Sequence, residues 1–211
     1  MKRSLDIVFS LIGLLILLPF LPFIAILIKR DSKGPVFFLQ ERVGKDFKSF
    51  KICKFRTMES DADKKGARIT AVGDGRVTKI GRTLRKFKID ELPQLFNVLK
   101  GDMSFVGPRP EVTEYVQLFE KEYRKLLSIR PGITDPASLH YSDEASVLGN
   151  SSTYEDTYIT KVLPEKIRLS SQYVDSHALR TDLKLIVMTL IKTTSIKPDK
   201  TENNATMEKL S

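Results

Sequence analysis

The chain of 211 residues has one cysteine, two histidines and no tryptophan. Because Cys53 is the only cysteine, no disulfide can form within the chain, which is typical of a reducing compartment. Neither His140 nor His177 has a second histidine or cysteine nearby, so no zinc site is expected. Internal repeats and a second apolar run of membrane length are also missing from the sequence. A chain of this length is long enough for one ordinary domain and too short for two comfortable ones, so we expect a single domain with appendages.

Acidic residues are fewer than basic ones, 26 Asp and Glu against 35 Lys and Arg, which gives a net charge of +9. Such an excess predicts anionic partners, namely nucleic acid, phosphorylated small molecules or anionic lipid. The charge alone does not choose among them. The sequence shows no nucleic-acid-binding motif and no array of stacking aromatics, so we expect no nucleic-acid partner.

The longest apolar run extends over 22 residues from Ile7 to Ile28 without a charge. It is longer than the apolar core of a secretory signal, and no small-residue cleavage site follows it, so we interpret it as a membrane segment. A straight helix of this length would measure about 33 Å, enough to cross a hydrocarbon core of about 30 Å.

Two prolines and the flanking charges bear on how this segment enters the membrane. Pro19 and Pro22 lie past its midpoint and favour a sharp kink, which leaves arms of about 18 and 15 Å. Neither arm could cross alone. Basic residues flank both ends, and only a re-entrant helix keeps both groups in the cytoplasm. Prolines also occur in true spans, so the residues favour the re-entrant form and leave a straight span open.

The residues after this segment predict a small, mostly helical α+β domain. Val36–Gln40 and Phe50–Phe55 read as strands of a hairpin with a turn at Gly44–Asp46. The polar stretch Glu59–Gly75 is expected to be a flexible excursion.

Helical patterns follow from Thr78. Asp90 is the predicted N-cap of a helix that ends before a C-cap at Gly101, and another helix is predicted from Pro110 toward Leu127. A last helix carries an apolar stripe formed by Leu179, Leu183, Ile186, Val187 and Leu190. The stripe could lie in the membrane interface, although packing on the domain is the usual arrangement.

Two adjacent acids are the main candidates for chemistry. Asp90 and Glu91 lie at the predicted helix start, where backbone amides and the helix dipole stabilise negative charge. Acids are common at such positions for stability alone. In the functional interpretation one carboxylate attacks a phosphoryl group and the other holds a cation, because neighbouring helical residues point in different directions.

These two anions would repel a diphosphate, so a divalent cation and basic side chains would be needed beside them. The candidate basic residues are Lys54, Arg56, Arg85 and Arg109. Pro108 and Pro110 fix the backbone on both sides of Arg109, which makes its guanidinium a preorganised phosphate clamp. A solvated surface charge is the alternative for each of the four.

The chain resembles the bacterial sugar transferases known as monotopic phosphoglycosyl transferases. The likeness is carried by the run D-E-L-P-Q-L-F-N-V-L-K-G-D-M-S-F-V-G-P-R-P from residue 90, with K-F-R-T-M before it and R-P-G-I-T after it. It extends from the amino-terminal K-R-x-x-D to T-D-L-K-L-I near the end. A match of this length is far more specific than a short glycine motif.

The resemblance implies a reaction in two halves. Asp90 attacks the β-phosphate of a UDP-sugar, releases UMP and holds the phospho-sugar covalently. Glu91 ligates Mg²⁺, and polyprenyl (undecaprenyl) phosphate then attacks the intermediate. Arg85 and Arg109 match basic positions of the family that contact phosphate, whereas Lys54 and Arg56 match less closely.

The resemblance also implies a setting. A re-entrant membrane helix over residues 1–30 would place a catalytic domain, residues 31–195, at the cytoplasmic face of the bacterial inner membrane, with amphipathic helices in the interface. Residues 196–211 are expected to be a disordered polar tail. Besides membrane lipid, the expected partners are downstream glycosyltransferases of polysaccharide or glycoconjugate assembly.

Two departures from the family pattern matter. Many relatives have G-W-A-Q after R-P-G-I-T, where this chain has Asp135 to Tyr141, so the donor sugar stays open. Leu18 replaces a serine that some members have before the helix-breaking proline, so the kink must depend on Pro19 and Pro22.

Two other functions remain compatible with the sequence. A membrane-anchored basic module that binds anions without catalysis would explain the charge and the anchor, but not the acids beside a proline-held arginine. An enzyme that adds a plain sugar to a lipid-linked glycan would release UDP instead of UMP.

Overall fold

A computed structural model describes residues 1–62, 74–142 and 154–194. The helices are α1 (Lys2–Leu17), α2 (Leu21–Asp31), α3 (Lys79–Lys86), α4 (Gln94–Lys100), α5 (Thr113–Leu118), α6 (Glu120–Leu126), α7 (Pro136–His140), α8 (Tyr154–Thr157), α9 (Leu163–Ser176) and α10 (Leu179–Thr194). The strands are β1 (Phe37–Val43), β2 (Ser49–Phe55), β3 (Ser104–Val106) and β4 (Gly132–Thr134). This mostly helical arrangement with two small sheets agrees with the predicted α+β class. The predicted polar tail and most of the predicted excursion lie outside the described residues.

The predicted hairpin is confirmed. β1 and β2 pair antiparallel, with Phe37 opposite Phe55 and Val43 opposite Ser49. The turn between them has left-handed backbone at Asp46, with φ of 55°. A short polar side chain tolerates this conformation because it can hydrogen-bond locally.

The membrane segment is helical from Lys2 to Asp31, long and apolar enough to cross a membrane. A 3₁₀ turn at Leu18–Phe20, which contains Pro19, separates α1 from α2. The two helices have 16 and 11 residues. At 1.5 Å per residue these correspond to about 24 and about 16 Å, so neither reaches across a hydrocarbon core of about 30 Å.

The start of α1 is bound to the domain through the K-R-x-x-D motif. Arg3 donates to the carbonyl oxygens of Val98 and Leu99, 2.5 and 2.8 Å away, at the end of α4. The buried carboxylate of Asp6 accepts from the Ser104 hydroxyl and the Phe105 amide, both at 3.1 Å. The motif therefore attaches the start of the membrane segment to α4 and β3 of the domain.

The end of α2 is bound to the same domain. Ile28 is buried in an apolar cluster with Phe55 and Leu84. The Asp31 carboxylate accepts a 2.8 Å hydrogen bond from the Ile80 amide at the start of α3. Both ends of the membrane segment thus contact one domain.

The predicted N-cap at Asp90 is wrong. Ile89–Glu91 form a 3₁₀ turn that follows the left-handed Lys88, and α4 begins only at Gln94. The Ile89 carbonyl accepts from the Leu92 amide as in a 3₁₀ turn, and Pro93 has no N–H that could form an α-helical bond to it instead. The predicted C-cap at Gly101 is confirmed, with φ of +99°.

Two other helix predictions need correction. The helix predicted after Pro110 is divided into α5 and α6, since Phe119 has non-helical angles (φ −126°, ψ 39°). On α10 the residues buried against the domain are Asp182 and Leu185, which lie off the predicted stripe. Stripe members Leu183, Val187 and Leu190 are exposed instead, so the interface alternative fits this helix better than core packing.

Replacing Gly81 by alanine should destabilise the domain. The added Cβ would lie 2.1 Å from the Thr57 carbonyl oxygen and 2.7 Å from its carbon, so α3 would have to move. Overpacking of this kind costs about 1–3 kcal/mol, which exceeds the gain in helix propensity of up to about 1 kcal/mol. Thermal unfolding of the detergent-solubilised chain would show a lower midpoint.

Gly75→Ala is the matched control, because a Cβ there meets no heavy atom within 4 Å. If the two variants unfolded at the same temperature, the close approach of α3 to Thr57 would be contradicted.

Candidate active site

The 3₁₀ turn at Ile89–Glu91 brings the two acids to the interior of the domain. Asp90 is 7% exposed, and the Glu91 side chain is 12% exposed. Buried carboxylates of this kind require partners or lose their charge. The partners of the two differ, which makes the acids chemically different.

Glu91 is paired with two cations. Both terminal nitrogens of Arg109 donate to its carboxylate, and Lys54 Nζ lies 3.4 Å from its Oε1. Burial alone would raise the pKa of Glu91, but Arg109 and Lys54 hold it well below its ordinary value. Glu91 is therefore an anion.

Asp90 has no such pairing. Its Oδ1 is buried and has no hydrogen-bond partner among the described residues. Burial and the adjacent Glu91 charge raise the pKa of Asp90, and Lys54, Arg85 and Lys88 oppose that shift. Adjacent carboxylates whose pKa values are moved apart can take different roles in one reaction.

Arg85 reaches the acids from α3. Its Nε donates to the Thr57 hydroxyl at 2.8 Å, which fixes the guanidinium, and its charge acts on both Asp90 and Glu91. The structure thus brings three predicted cations, Lys54, Arg85 and Arg109, to the two predicted acids.

The structure does not bring Arg56 to this group. Its terminal nitrogens donate to the carbonyl oxygens of Ser32 at 2.7 Å, Lys33 at 2.9 Å and Ile28 at 3.4 Å. Ile28 lies in the last turn of α2, and Ser32 and Lys33 directly follow the helix. Arg56 therefore closes the membrane segment onto the domain, a role that differs from the predicted phosphate contact.

A tight contact between two glycines holds the loop that carries Arg109. β3 and β4 are parallel, and a Cβ on Gly132 would lie 2.1 Å from the Gly107 nitrogen. The Gly132 amide donates to the Pro108 carbonyl at 3.0 Å. Only glycine fits this approach, so the proline-held loop has a fixed position against β4.

Sequence reasoning missed a buried ionic group behind this loop. Arg42 donates to the Pro110 carbonyl and to Glu111, both at 3.2 Å. Glu111 also accepts from the Tyr158 hydroxyl at 2.8 Å and lies 3.8 Å from Lys166 Nζ. The alternation of side chains along β1 could have placed Arg42 near the site. Residues 38 and 42 lie on the same face of that strand, and residue 38 is opposite Lys54 on β2.

The divergent stretch that begins at Asp135 starts with a structural residue. The buried Asp135 carboxylate caps α7 by accepting from the Ser138 amide at 2.7 Å, and it also accepts from the Ser170 hydroxyl. Asp135 thus joins α7 to α9, and this packing role explains why the residue is buried. Residues 143–153, which follow the stretch, lie outside the described residues.

The two acids differ in how they could serve a magnesium ion. Among the described residues no group of three or more metal-ligating side chains occurs. Mg²⁺ commonly takes only one or two protein carboxylates and completes its shell with water and substrate phosphate. The anionic Glu91 fits that donor set.

The chain belongs to the bacterial sugar transferase family, whose family model matches residues 1–195. This confirms the resemblance seen in the sequence.

Several curated relatives are similar over most of the chain. One is the UDP-N-acetylgalactosamine-undecaprenyl-phosphate N-acetylgalactosaminephosphotransferase of Aeromonas hydrophila, 41% identical over 90% of this chain and 42% of its own length. A putative undecaprenyl-phosphate N-acetylgalactosaminyl 1-phosphate transferase of Bacillus subtilis is 53% identical over 57% of this chain and 68% of its own. The undecaprenyl-phosphate glucose phosphotransferase of Komagataeibacter xylinus is 40% identical over 90% of this chain and 35% of its own length. The chain therefore spans less than half of two of these relatives.

Replacing Glu111 by glutamine should destabilise the domain and reduce its sensitivity to acid. At neutral pH the change removes the buried carboxylate that faces Arg42 and Lys166, at a cost of about 3 kcal/mol. Although burial raises the pKa of Glu111, Lys166 and Arg42 lower it overall. Its carboxylate therefore stabilises the fold above its ordinary pKa of 4.5, and this stability is lost as pH falls through the folded-state pKa.

The measurement is the unfolding midpoint from about pH 7 down to about pH 2, and below about pH 4.5 the native chain should lose more stability than Glu111→Gln. Glu41→Gln, which alters an exposed strand residue, is the control and should follow the native curve. Parallel curves for all three proteins would show that Glu111 is not the linked group.

Proposed function

We propose that the chain transfers a phospho-sugar from a UDP-sugar to undecaprenyl phosphate and releases UMP. The observation that carries this proposal is the pair of adjacent buried acids, of which Glu91 is ion-paired and Asp90 has an unpartnered oxygen. Family membership and the names of the relatives support the acceptor and the phosphotransfer.

In the first half-reaction Asp90 is the nucleophile. A carboxylate oxygen forms a bond to the β-phosphorus of the donor, and the bond from that phosphorus to the bridging oxygen breaks. The electron pair leaves with UMP, and the phospho-sugar stays on Asp90 as an acyl phosphate. Asp90 must be deprotonated to attack, and Lys54, Arg85 and Lys88 favour its anionic form.

In the second half-reaction a phosphate oxygen of undecaprenyl phosphate attacks the same phosphorus. The bond to Asp90 breaks, the free carboxylate is restored, and a polyprenyl diphosphate sugar is the product. A covalent intermediate divides one difficult displacement between two crowded anions into two steps.

Charge compensation is assigned to the surrounding side chains. Glu91, with Asp90 beside it, would hold Mg²⁺, which when bound supplies positive charge to the diphosphate. Arg109 and Arg85 would contact phosphate oxygens, since a guanidinium presents paired donors to them. Lys54 keeps Glu91 charged and adds a further cation at the site.

We further propose that the membrane segment is re-entrant and that the site faces the cytoplasm of the bacterial cell. Two observations support this topology: neither α1 nor α2 is long enough to cross, and both ends of the segment are bonded to one domain. A soluble nucleotide donor would then arrive from the cytoplasm and the lipid phosphate from the interface.

Nucleotide release tests the chemistry. Detergent-solubilised protein with Mg²⁺ and undecaprenyl phosphate should form UMP from one member of a panel of UDP-sugars, and Asp90→Asn should reduce the rate by at least about 10³-fold, as expected for loss of a nucleophile. Mass spectrometry of the native chain without acceptor should detect a phospho-sugar adduct that Asp90→Asn lacks.

Glu120→Gln is the matched control, because it removes an exposed helical carboxylate that pairs with Arg124. Formation of UDP instead of UMP would favour an enzyme that adds a plain sugar. UMP formation that survives in Asp90→Asn would exclude the covalent mechanism, and no nucleotide release with any donor would favour the binding module.

Cysteine labelling tests the topology. In a Cys53→Ser background, Ser4→Cys and Lys33→Cys place single thiols at exposed positions on the two ends of the segment. A membrane-impermeant maleimide should label both in inverted membrane vesicles and neither in intact spheroplasts. Labelling of either thiol in spheroplasts would show that the segment crosses the membrane.

A further inference from the structure

Six cations surround the point where the membrane segment joins the domain. They are Lys29, Arg30 and Lys33 at the end of α2 and Lys79, Arg82 and Lys86 on α3, here called the α2–α3 basic surface. All six are exposed. Within the described parts of the chain none of them forms an ion pair with a carboxylate. The proposed reaction uses none of them.

The packing of α3 on α2 turns these cations outward. Leu84 is buried against Ile28, and Ile80 packs on the same cluster, so the apolar side of α3 faces the membrane segment. The hydrogen bond from the Ile80 amide to Asp31 fixes the start of α3 at the end of α2. The two groups of three cations therefore belong to one continuous surface.

The position of this surface relative to the bilayer follows from the apolar residues before it. Phe23, Ile26 and Leu27 on α2 are 68%, 50% and 47% exposed, which suits contact with hydrocarbon. Lys29 follows Ile26 by three residues, about 4.5 Å along the helix. Lys and Arg near such a boundary keep their stems on apolar surface and their charges at the headgroups.

We propose that the α2–α3 basic surface binds the phosphate groups of anionic phospholipids in the surrounding membrane and thereby fixes the depth of α3. Charge complementarity carries the proposal, since about four to eight cations next to a membrane segment are the pattern that attracts anionic lipid. Because α3 also carries Arg85, lipid bound at this surface would hold one wall of the active site at the interface. The proposal depends on membrane insertion of α2 and not on the proposed reaction.

Spin-labelled lipids provide the test. The full chain is reconstituted in phosphatidylcholine vesicles, and the fraction of motionally restricted label is measured for phosphatidylglycerol and for phosphatidylcholine. We expect the native chain to prefer phosphatidylglycerol about fivefold or more, the factor that one cation at an anionic surface supplies. The triple variant Lys79→Glu, Arg82→Glu and Lys86→Glu should bring the ratio close to one.

The matched control reverses three exposed cations elsewhere, with Lys48→Glu, Lys121→Glu and Lys161→Glu. This control changes the net charge by the same amount as the test variant. It should keep the preference for phosphatidylglycerol, because the position of the cations decides the binding. Loss of the preference in the control would show that only net charge matters and would overturn the proposal. Helical circular dichroism checks that each variant folds. If the Glu triple does not fold, the neutral triple Lys79→Gln, Arg82→Gln and Lys86→Gln replaces it, with the same expected loss of preference.

A competition experiment with UDP distinguishes lipid bound at the α2–α3 basic surface from lipid phosphate bound in the active site. Saturating UDP should leave the preference for phosphatidylglycerol unchanged, because the six cations lie outside the proposed donor site. Loss of the preference with UDP would assign the binding to the active site and overturn the proposal. Absence of a preference in the native chain, or a preference retained by the triple variant, would do the same.

Discussion

The ion pair between Arg109 and Glu91 is the contact on which the arrangement of the site depends. It joins the 3₁₀ turn that carries both acids to the loop held between β3 and β4. Burial would otherwise raise the pKa of Glu91, so the pair, with Lys54, keeps a charge inside the domain. Burial and, after it, that charge raise the pKa of Asp90. Unequal ion pairing thus makes two adjacent and chemically similar groups different.

Features that depend on near neighbours in the chain were predictable from the sequence. The hairpin, the interruption near Pro19 and the cap at Gly101 follow from local backbone preferences. The grouping of the acids with Arg109 was predicted from the need to offset two carboxylate charges beside a diphosphate, and the structure brings them together. The 3₁₀ turn at Asp90 was missed because acids at apparent helix starts normally cap α-helices, while here the missing amide of Pro93 delays the helix.

Features that depend on distant partners were not predictable. Lys54 and Arg56 look equivalent in K-F-R-T-M, yet one faces Glu91 and the other the carbonyls at the end of α2. Nothing in the local pattern distinguishes them, because β2 ends between them at Phe55 and alternation no longer applies. The charge network of Glu111 likewise requires Lys166, which lies 55 residues later and reaches it only through the packing of α9 on α6.

The bond between Lys2 and Asp182 has a consequence for the order in which the protein forms. Lys2 Nζ lies 2.6 Å from Asp182, whose other oxygen accepts from the Tyr173 hydroxyl. The ribosome makes the two halves of this ion pair 180 residues apart in sequence. The apolar segment is therefore available to the bilayer well before its docking site on α10 has been synthesised. The contact can therefore form only after Asp182 has been synthesised, so that the last described helix closes the fold onto the first.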